Sequence, residues 1–286
     1  MKSFERSRGS ATLACMAVLA STPGLSSAME EGFYMGLSTS AENLDVTLSK
    51  TTDNTHPMNT TTSSGRTFHV RDSDAKTTSG FGILAGYTFH LNDRGLYLSG
   101  EVDLAYHSGK TRGRLEWVKD PSARESAGSD PDWAQSGESW PDDWTFEKDY
   151  SYGLTLRLGD QPDFLVSVLG SGSGLYALAG IRRIEAEYVN SYEGCPVNDG
   201  CPGGREDESY VRGFDRTDRD YTAWTAGIGL HTPVGDQTSM QVETYYTDYD
   251  KEDLILLDST SEPYIRVPHS VDAEEVGLRL RLLRYF

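Results

Sequence analysis

From Val276 to Phe286 the chain reads VGLRLRLLRYF, in which Val276, Leu278, Leu280 and Leu282 alternate with Gly277, Arg279 and Arg281. Only an extended strand, whose successive side chains point to opposite faces, sorts such a sequence into one apolar and one charged surface. The apolar face runs on to the ring of Phe286, where a soluble chain usually carries a frayed polar end. This strand is expected to bury its leucine face against something apolar.

The same period of two recurs in seven other segments. Phe33, Met35 and Leu37 oppose Tyr34, Gly36 and Ser38; Phe81, Ile83, Ala85, Tyr87 and Phe89 oppose Gly82, Leu84, Gly86 and Thr88. Leu98, Val102, Leu104 and Tyr106 oppose Tyr97, Ser99, Glu101, Asp103 and His107. Tyr150, Tyr152, Leu154, Leu156 and Leu158 oppose Ser151, Gly153, Thr155 and Arg157. In LYALAGIRRIEAEYV, the apolar face takes Tyr176, Leu178, Ile184, Ala186 and Tyr188 and the other takes Arg183, Glu185 and Glu187, a register in which Arg182 fits poorly. Trp224, Ala226, Ile228 and Leu230 oppose Thr225, Gly227, Gly229 and His231, and Met240, Val242 and Tyr246 oppose Gln241, Glu243, Tyr245 and Thr247. The 16 Tyr and 29 Gly suit such a strand-rich chain.

The side on which the charges fall decides what kind of sheet this is. Glu101, Asp103, Arg157, Arg183, Glu185, Glu187, Glu243, Arg279 and Arg281 all lie opposite the leucines. A barrel in water shows polar residues outside and apolar ones within, whereas a barrel in lipid shows the reverse. The pattern therefore predicts an all-β fold, an eight-stranded antiparallel up-and-down transmembrane β-barrel, with these nine residues as a charge network filling its lumen. Eight strands leave room only for side chains, so no continuous water pore is expected. After the first 28 residues no segment approaches the roughly 18 apolar residues of a transmembrane helix, which excludes a helical membrane protein, while a barrel strand needs only about 9 to 11.

Connections alternate in length. Leu91 to Gly95 and Thr232 to Gln237 carry turn-forming Asn, Asp, Gly and Pro. Long polar stretches, roughly 44 to 76, 109 to 148, 190 to 219 and 250 to 270, are read as loops. DQPDFLVSVLGSGSG, Asp160 to Gly174, breaks this scheme, being long and apolar where a short turn belongs; either a strand begins earlier or the segment packs under the rim.

Residues 1 to 28 read as a separate unit. Lys2, Arg6 and Arg8 precede the apolar run ATLACMAVLA and the small residues Ser26 to Ala28, the layout of a secretory signal peptide cleaved after Ala28. Cys15 falls in the core of that run, without a lipoprotein cleavage pattern before it. The domain that remains, 29 to 286, is more acidic than the whole chain with its formal charge of -18. Its two cysteines, Cys195 and Cys201 in EGCPVNDGCPGG, are expected to form a local disulfide after export. With no histidine or third cysteine beside them, a metal reading has little support.

TAWTAGIGLHTPVGDQTSMQVETYYTDY, residues 222 to 249, resembles the Gly-rich hairpin of the small outer-membrane barrels of Gram-negative bacteria, the OmpA-type and opacity-type surface antigen superfamily. GFGILAGYTF at Gly80 to Phe89 and the terminal Phe286 are similar to the same family, over the strands but not the long loops. The resemblance implies short periplasmic turns, long extracellular loops and a terminal strand read by the barrel-assembly machinery. Leu278, Leu280, Leu282 and Phe286 fit that insertion signal. Arg284 does not: it either snorkels to the periplasmic interface or a bulge turns Leu283 and Tyr285 outward.

Catalysis has one superficial lead. Some outer-membrane barrels hydrolyse acyl chains of lipopolysaccharide with Ser, His and an acid, but His107 and Ser108 are adjacent on a strand and point apart. The acids Asp215, Asp218 and Asp220, or Asp130, Asp132, Asp142 and Asp143, follow no calcium-loop spacing. Trp133, Trp140 and Trp144 are candidate contact anchors on a loop, or they pack that loop onto itself. So acidic a chain repels phosphate, which excludes nucleic acid. The expectation is a monomeric, cofactor-free, non-catalytic surface protein whose partners are outer-membrane lipid, lipopolysaccharide, the assembly machinery and a host or surface ligand. A lipid A deacylase-like enzyme and a narrow channel are the alternatives.

Overall fold

The computed structural model describes residues 31–53, 55–58, 67–92, 95–115, 142–194, 211–255 and 267–286. Ten strands form: β1 (Gly32–Asp53), β2 (Thr67–His90), β3 (Tyr97–Ser108), β4 (Lys110–Leu115), β5 (Asp142–Asp160), β6 (Gly174–Gly194), β7 (Val211–Gly235), β8 (Thr238–Tyr249), β9 (Glu252–Ile255) and β10 (Pro268–Tyr285). A short helix, α1 (Asp163–Leu169), lies between β5 and β6. All pairings are antiparallel, and β10 pairs with β1 to close the ring. The barrel has eight staves, because β4 continues β3 beyond Gly109 (φ 121°) and pairs with β5, and β9 continues β8 and pairs with β10.

The staves run far into the stretches read from sequence as loops. Residues 44–53, 67–76, 110–115, 142–148, 190–194, 211–219, 252–255 and 268–270 are all strand. At about 3.3 Å per residue and a tilt of about 40°, the 25-residue β7 rises about 60 Å. The outward apolar ladder from Val276 to Phe286 accounts for about 25 Å of that height, the thickness expected of a membrane-facing band. The rest projects beyond it at the loop end.

Outward residues sort by height accordingly. Between the two levels of exposed aromatics, Phe33, Tyr87, Phe89 and Phe286 at the turn end and Tyr106, Tyr150, Tyr152 and Trp224 above, lie Leu37, Ile83, Val102, Leu104, Leu154, Leu156, Ile228 and Leu280, all exposed. Above the upper level the outer face turns polar, with Arg183, Glu185, Arg216, Asp218 and Asp272.

β6 departs from its sequence reading. Tyr176, Leu178, Ile184, Ala186 and Tyr188 face inward and are buried, while Leu175, Ile181, Arg183 and Glu185 are exposed on the outer face. For Ile184, Ala186 and Tyr188 the physical reason is the strand's length: beyond the membrane band an outward arginine or glutamate meets water, and the apolar residues turn into the barrel as they do in an aqueous one; Tyr176, lower down, lies inside over Gly229 with its hydroxyl on Glu243. In β10, pairing with β1 is continuous from Tyr285 to His269, so no bulge intervenes; Leu283 and Tyr285 are buried inside and Arg284 stays outward at the turn-end rim. The segment after β5 is neither strand nor packed under the rim, since α1 has no buried residue.

Four tyrosines on the inner face pair directly with glycines of the neighbouring stave: Tyr34 with Gly86, Tyr97 with Gly159, Tyr176 with Gly229 and Tyr245 with Gly277. Each ring lies where a Cβ on its glycine would stand. This lays large side chains over the wall and brings their hydroxyls to Glu101, His231, Glu243 and Glu42 in turn.

Candidate functional site

The lumen carries the candidate site, in two layers of different chemistry. In the membrane band, Glu243 of β8 accepts from Arg157 Nε at 3.0 Å, Arg281 Nη1 at 2.8 Å and the Tyr176 hydroxyl at 3.0 Å, with Arg279 Nη1 at 3.5 Å. Glu101 of β3 accepts from Arg157 Nη2 at 3.1 Å and from the Tyr34 hydroxyl at 3.1 Å, and pairs with Arg281. Gln241 takes a further Arg281 hydrogen bond at 2.7 Å. Arg279 also lies over the Tyr245 ring, 4.3 Å from its centroid. Asp103 is held by both terminal nitrogens of Arg182, at 3.2 and 2.5 Å.

One step toward the loop end, Glu42 accepts from Lys148 Nζ at 2.5 Å, the Tyr245 hydroxyl at 2.7 Å and Ser40 Oγ at 2.8 Å. Lys148 also donates to Glu275 at 2.5 Å, and Glu275 accepts from Tyr249 at 2.8 Å. In this lower part of the lumen five cations (Arg157, Arg182, Arg279, Arg281 and Lys148) thus face five carboxylates (Glu42, Glu101, Asp103, Glu243 and Glu275) among the described residues. Charges so enclosed are tolerated only when paired and hydrogen-bonded.

His107 joins this layer. Its Nδ1 is 3.1 Å from Glu42 and its Nε2 is 2.8 Å from Ser151 Oγ on the adjacent β5. The order Ser151, His107, Glu42 is that of a nucleophile, base and orienting acid. Yet Ser151, His107 and Glu42 are 1%, 4% and 1% exposed, and Arg182 Nη2 donates to the serine oxygen at 3.0 Å. Ser108 points outward, away from this chain of bonds.

Above lies an apolar plug. Leu44, Leu48, Val70, Leu115, Phe146, Ile184, Tyr188, Tyr221 and Val271 are buried together, and Trp144 with them. Trp144, a candidate loop anchor from sequence, is instead 1% exposed in β5 and donates its indole N–H to Asp72 at 2.9 Å. At the far end of the plug Lys50 donates to Asp142 at 2.5 Å, with His269 Nε2 at 3.8 Å. Burial by itself would raise the Asp142 carboxyl's pKa, but the hydrogen bonds and charges of His269 and Lys50 outweigh it and hold the pKa below its ordinary value.

Of the nine residues expected in the lumen, Glu101, Asp103, Arg157, Glu243, Arg279 and Arg281 meet there. Arg183, Glu185 and Glu187 do not: they lie on the outer face of β6, where Arg183 pairs with Asp220 at 2.9 Å and Glu187 with Arg216. Glu42, Lys148, Arg182 and Glu275 were missed. Glu42 and Glu275 share the parity of Ser38 and Arg279, so longer strands would have found them. Lys148 carries no such signal, because a bulge at Asp149 shifts the parity of β5. Leu278, Leu280, Leu282 and Phe286 are outward and exposed, and the Phe286 amide donates to Phe33 O at 3.0 Å. Cys195, Cys201, Trp133 and Trp140 lie outside the described residues, as do residues 1–28. Groups of three or more metal-ligating side chains suited to an ion are absent among the described residues.

A family model described as outer membrane protein beta-barrel domain matches residues 11–267. No curated protein matches the chain. Among solved structures, the chain is similar to Ail, the attachment invasion locus protein of Yersinia pestis, in complex with the heparin analogue sucrose octasulfate. That match has 15% identity and a TM-score of 0.31, and covers 87% of this chain and 99% of that one. Neisserial surface protein A matches at 12% identity and a TM-score of 0.32, over 89% and 97%. The toluene transporter TodX of Pseudomonas putida matches at 8% identity and 0.24, over 90% and 90%.

Proposed function

This chain belongs to the family of outer membrane protein beta-barrel domains, and from that premise we propose that it is a non-catalytic surface protein with a structural or adhesive role, presenting its extracellular loops on a sealed stalk. One observation carries this reading: the inner side chains are buried from Tyr34 and Tyr285 at the periplasmic end to Leu48 and Val271 near the extracellular end, while the staves extend well past the membrane band. A sealed wall offers no route for solute, and its added height lifts the loops clear of the lipid surface. Residues 1–28 act as the cleaved export signal, and Leu278, Leu280, Leu282 and Phe286 as the mark read during insertion. The partners are outer-membrane lipid and lipopolysaccharide, the assembly machinery, and a surface or host ligand met by the loops; the working form is a monomer.

A lipid-modifying enzyme is the second reading, favoured by the Ser151, His107 and Glu42 chain of bonds. Burial of the serine and its bond from Arg182 weigh against it, since a nucleophile must meet its substrate. Exposure of the folded protein in outer-membrane vesicles to a fluorophosphonate probe distinguishes the two. No labelling, with lipid A composition unchanged by Ser151→Ala, is expected; labelling abolished by that substitution would establish the enzyme instead. Protease shaving of intact cells, followed by binding assays, tests the loops' role.

A further inference from the structure

Among the described residues, the periplasmic turn between β5 and β6 is a part of the fold that the sealed stalk does not use. Its helix α1, DFLVSVL, has seven residues, and Pro162 at its N-cap supplies no side-chain hydrogen bond. None of its residues is buried; Phe164 is 62% exposed, Val168 76% and Leu169 47%. A helix this short, with no side-chain cap at its N-terminus, is marginal in water, and five apolar residues in seven, three of them exposed and two half-buried, make a poor water-facing surface.

Residues three to four apart share a helix face. Phe164 therefore stacks over Val168 and Leu165 over Leu169, while Asp163 and Ser167 form a single polar row. Two residues separate α1 from the end of β5 at Asp160, which pairs with Leu175, the first outward leucine of β6. Leu158 and Leu175, on either side of the turn, belong to the lipid-facing wall and are exposed. The apolar face of the helix thus continues that wall at its periplasmic rim.

We propose that α1 is an interfacial anchor, lying in the headgroup region of the periplasmic leaflet with Phe164, Leu165, Val168 and Leu169 toward the acyl chains and Asp163 and Ser167 toward water. The occupant of its apolar face is phospholipid. Apolar burial in the interface supplies what the fold itself does not, and it fixes the turn beside the membrane rather than free in the periplasm. In the short turn at Gly235 to Thr238 no helix forms.

The test uses nitroxide labels on Val168→Cys, Ser167→Cys, Leu156→Cys and Asp236→Cys. Each is made in full-length protein with Cys15, Cys195 and Cys201 replaced by serine, folded into vesicles of phosphatidylethanolamine and phosphatidylglycerol. Heat-modifiable gel migration establishes that each variant forms the barrel. Oxygen, which partitions into lipid, is expected to collide several-fold more than a nickel chelate at Val168 and Leu156, with the order reversed at Asp236 and nickel access greater at Ser167 than at Val168. A Val168 label that behaves like Asp236 would overturn the anchor while leaving the barrel intact. One shielded from both reagents would also overturn it, since protein and not lipid would then cover the helix. Water at Leu156 would defeat the barrel reading itself.

Discussion

At the scale of single residues, the tightest constraint is that charges taken into the lumen have no water to return to. Glu243 alone neutralises contacts from Arg157, Arg279 and Arg281. Glu243→Gln removes the charge and leaves three guanidinium groups with one carboxylate fewer. A loss of about 3–5 kcal/mol is expected, the range for breaking a buried pair, read as a fall in the urea midpoint of the lipid-folded protein. Asp142, at the extracellular end, adds a pH dependence. Its folded-state pKa is depressed, so its contribution is full above the ordinary carboxylate value of about 3.9 and fades as pH falls through the depressed one. The stability difference between wild type and Asp142→Asn should therefore hold at neutral pH, begin to shrink as pH falls below about 4 and vanish only below the depressed value.

At the scale of the strand, one residue's parity means opposite things at different heights. In β6 Ile181 faces lipid while Ile184 packs against the plug, and Arg183 between them is outward and paired with Asp220. A charge at Ile184 enters an apolar core; a neutral residue at Arg183 only removes an exposed ion pair. Ile184→Asp should weaken the extracellular half, seen as faster amide exchange in the outer parts of β5, β6 and β7, with the membrane band unaffected. Arg183→Ala should change stability by less than about 1 kcal/mol. From Ile184 upward, sequence reading assigned this strand to the wrong face because it carried one rule, lipid outside, past the height at which lipid ends. The fault lay in the strand's assumed length, since Arg182 already signalled a mismatch and its partner Asp103 had been placed in the lumen.

At the scale of the whole molecule, the barrel is inverted in its lower half and conventional in its upper half. The charge network seals the first and the apolar plug seals the second, so neither alone is needed to block flow. Planar bilayers containing the folded protein should show no steady open state. Trp144→Ala with Phe146→Ala should leave that unchanged, because the Glu101, Arg157 and Arg281 cluster still closes the barrel below. A persistent conductance in wild type would restore the channel reading.

The sequence by itself determined the period, the side of the leucines in seven of the eight staves, and most of the lumen charges, because alternation is a local property that each strand displays alone. It also determined that residues 276–285 form a strand and not a frayed tail. Only the tertiary structure decided how far the staves continue, that Lys148 enters the lumen through a bulge, that Arg182 and not Arg183 meets Asp103, and that Trp144 is buried. These depend on which strand stands beside which and at what height, and the side chains that meet in the lumen come from staves distant in the chain, as Tyr245 of β8 and Glu42 of β1 do.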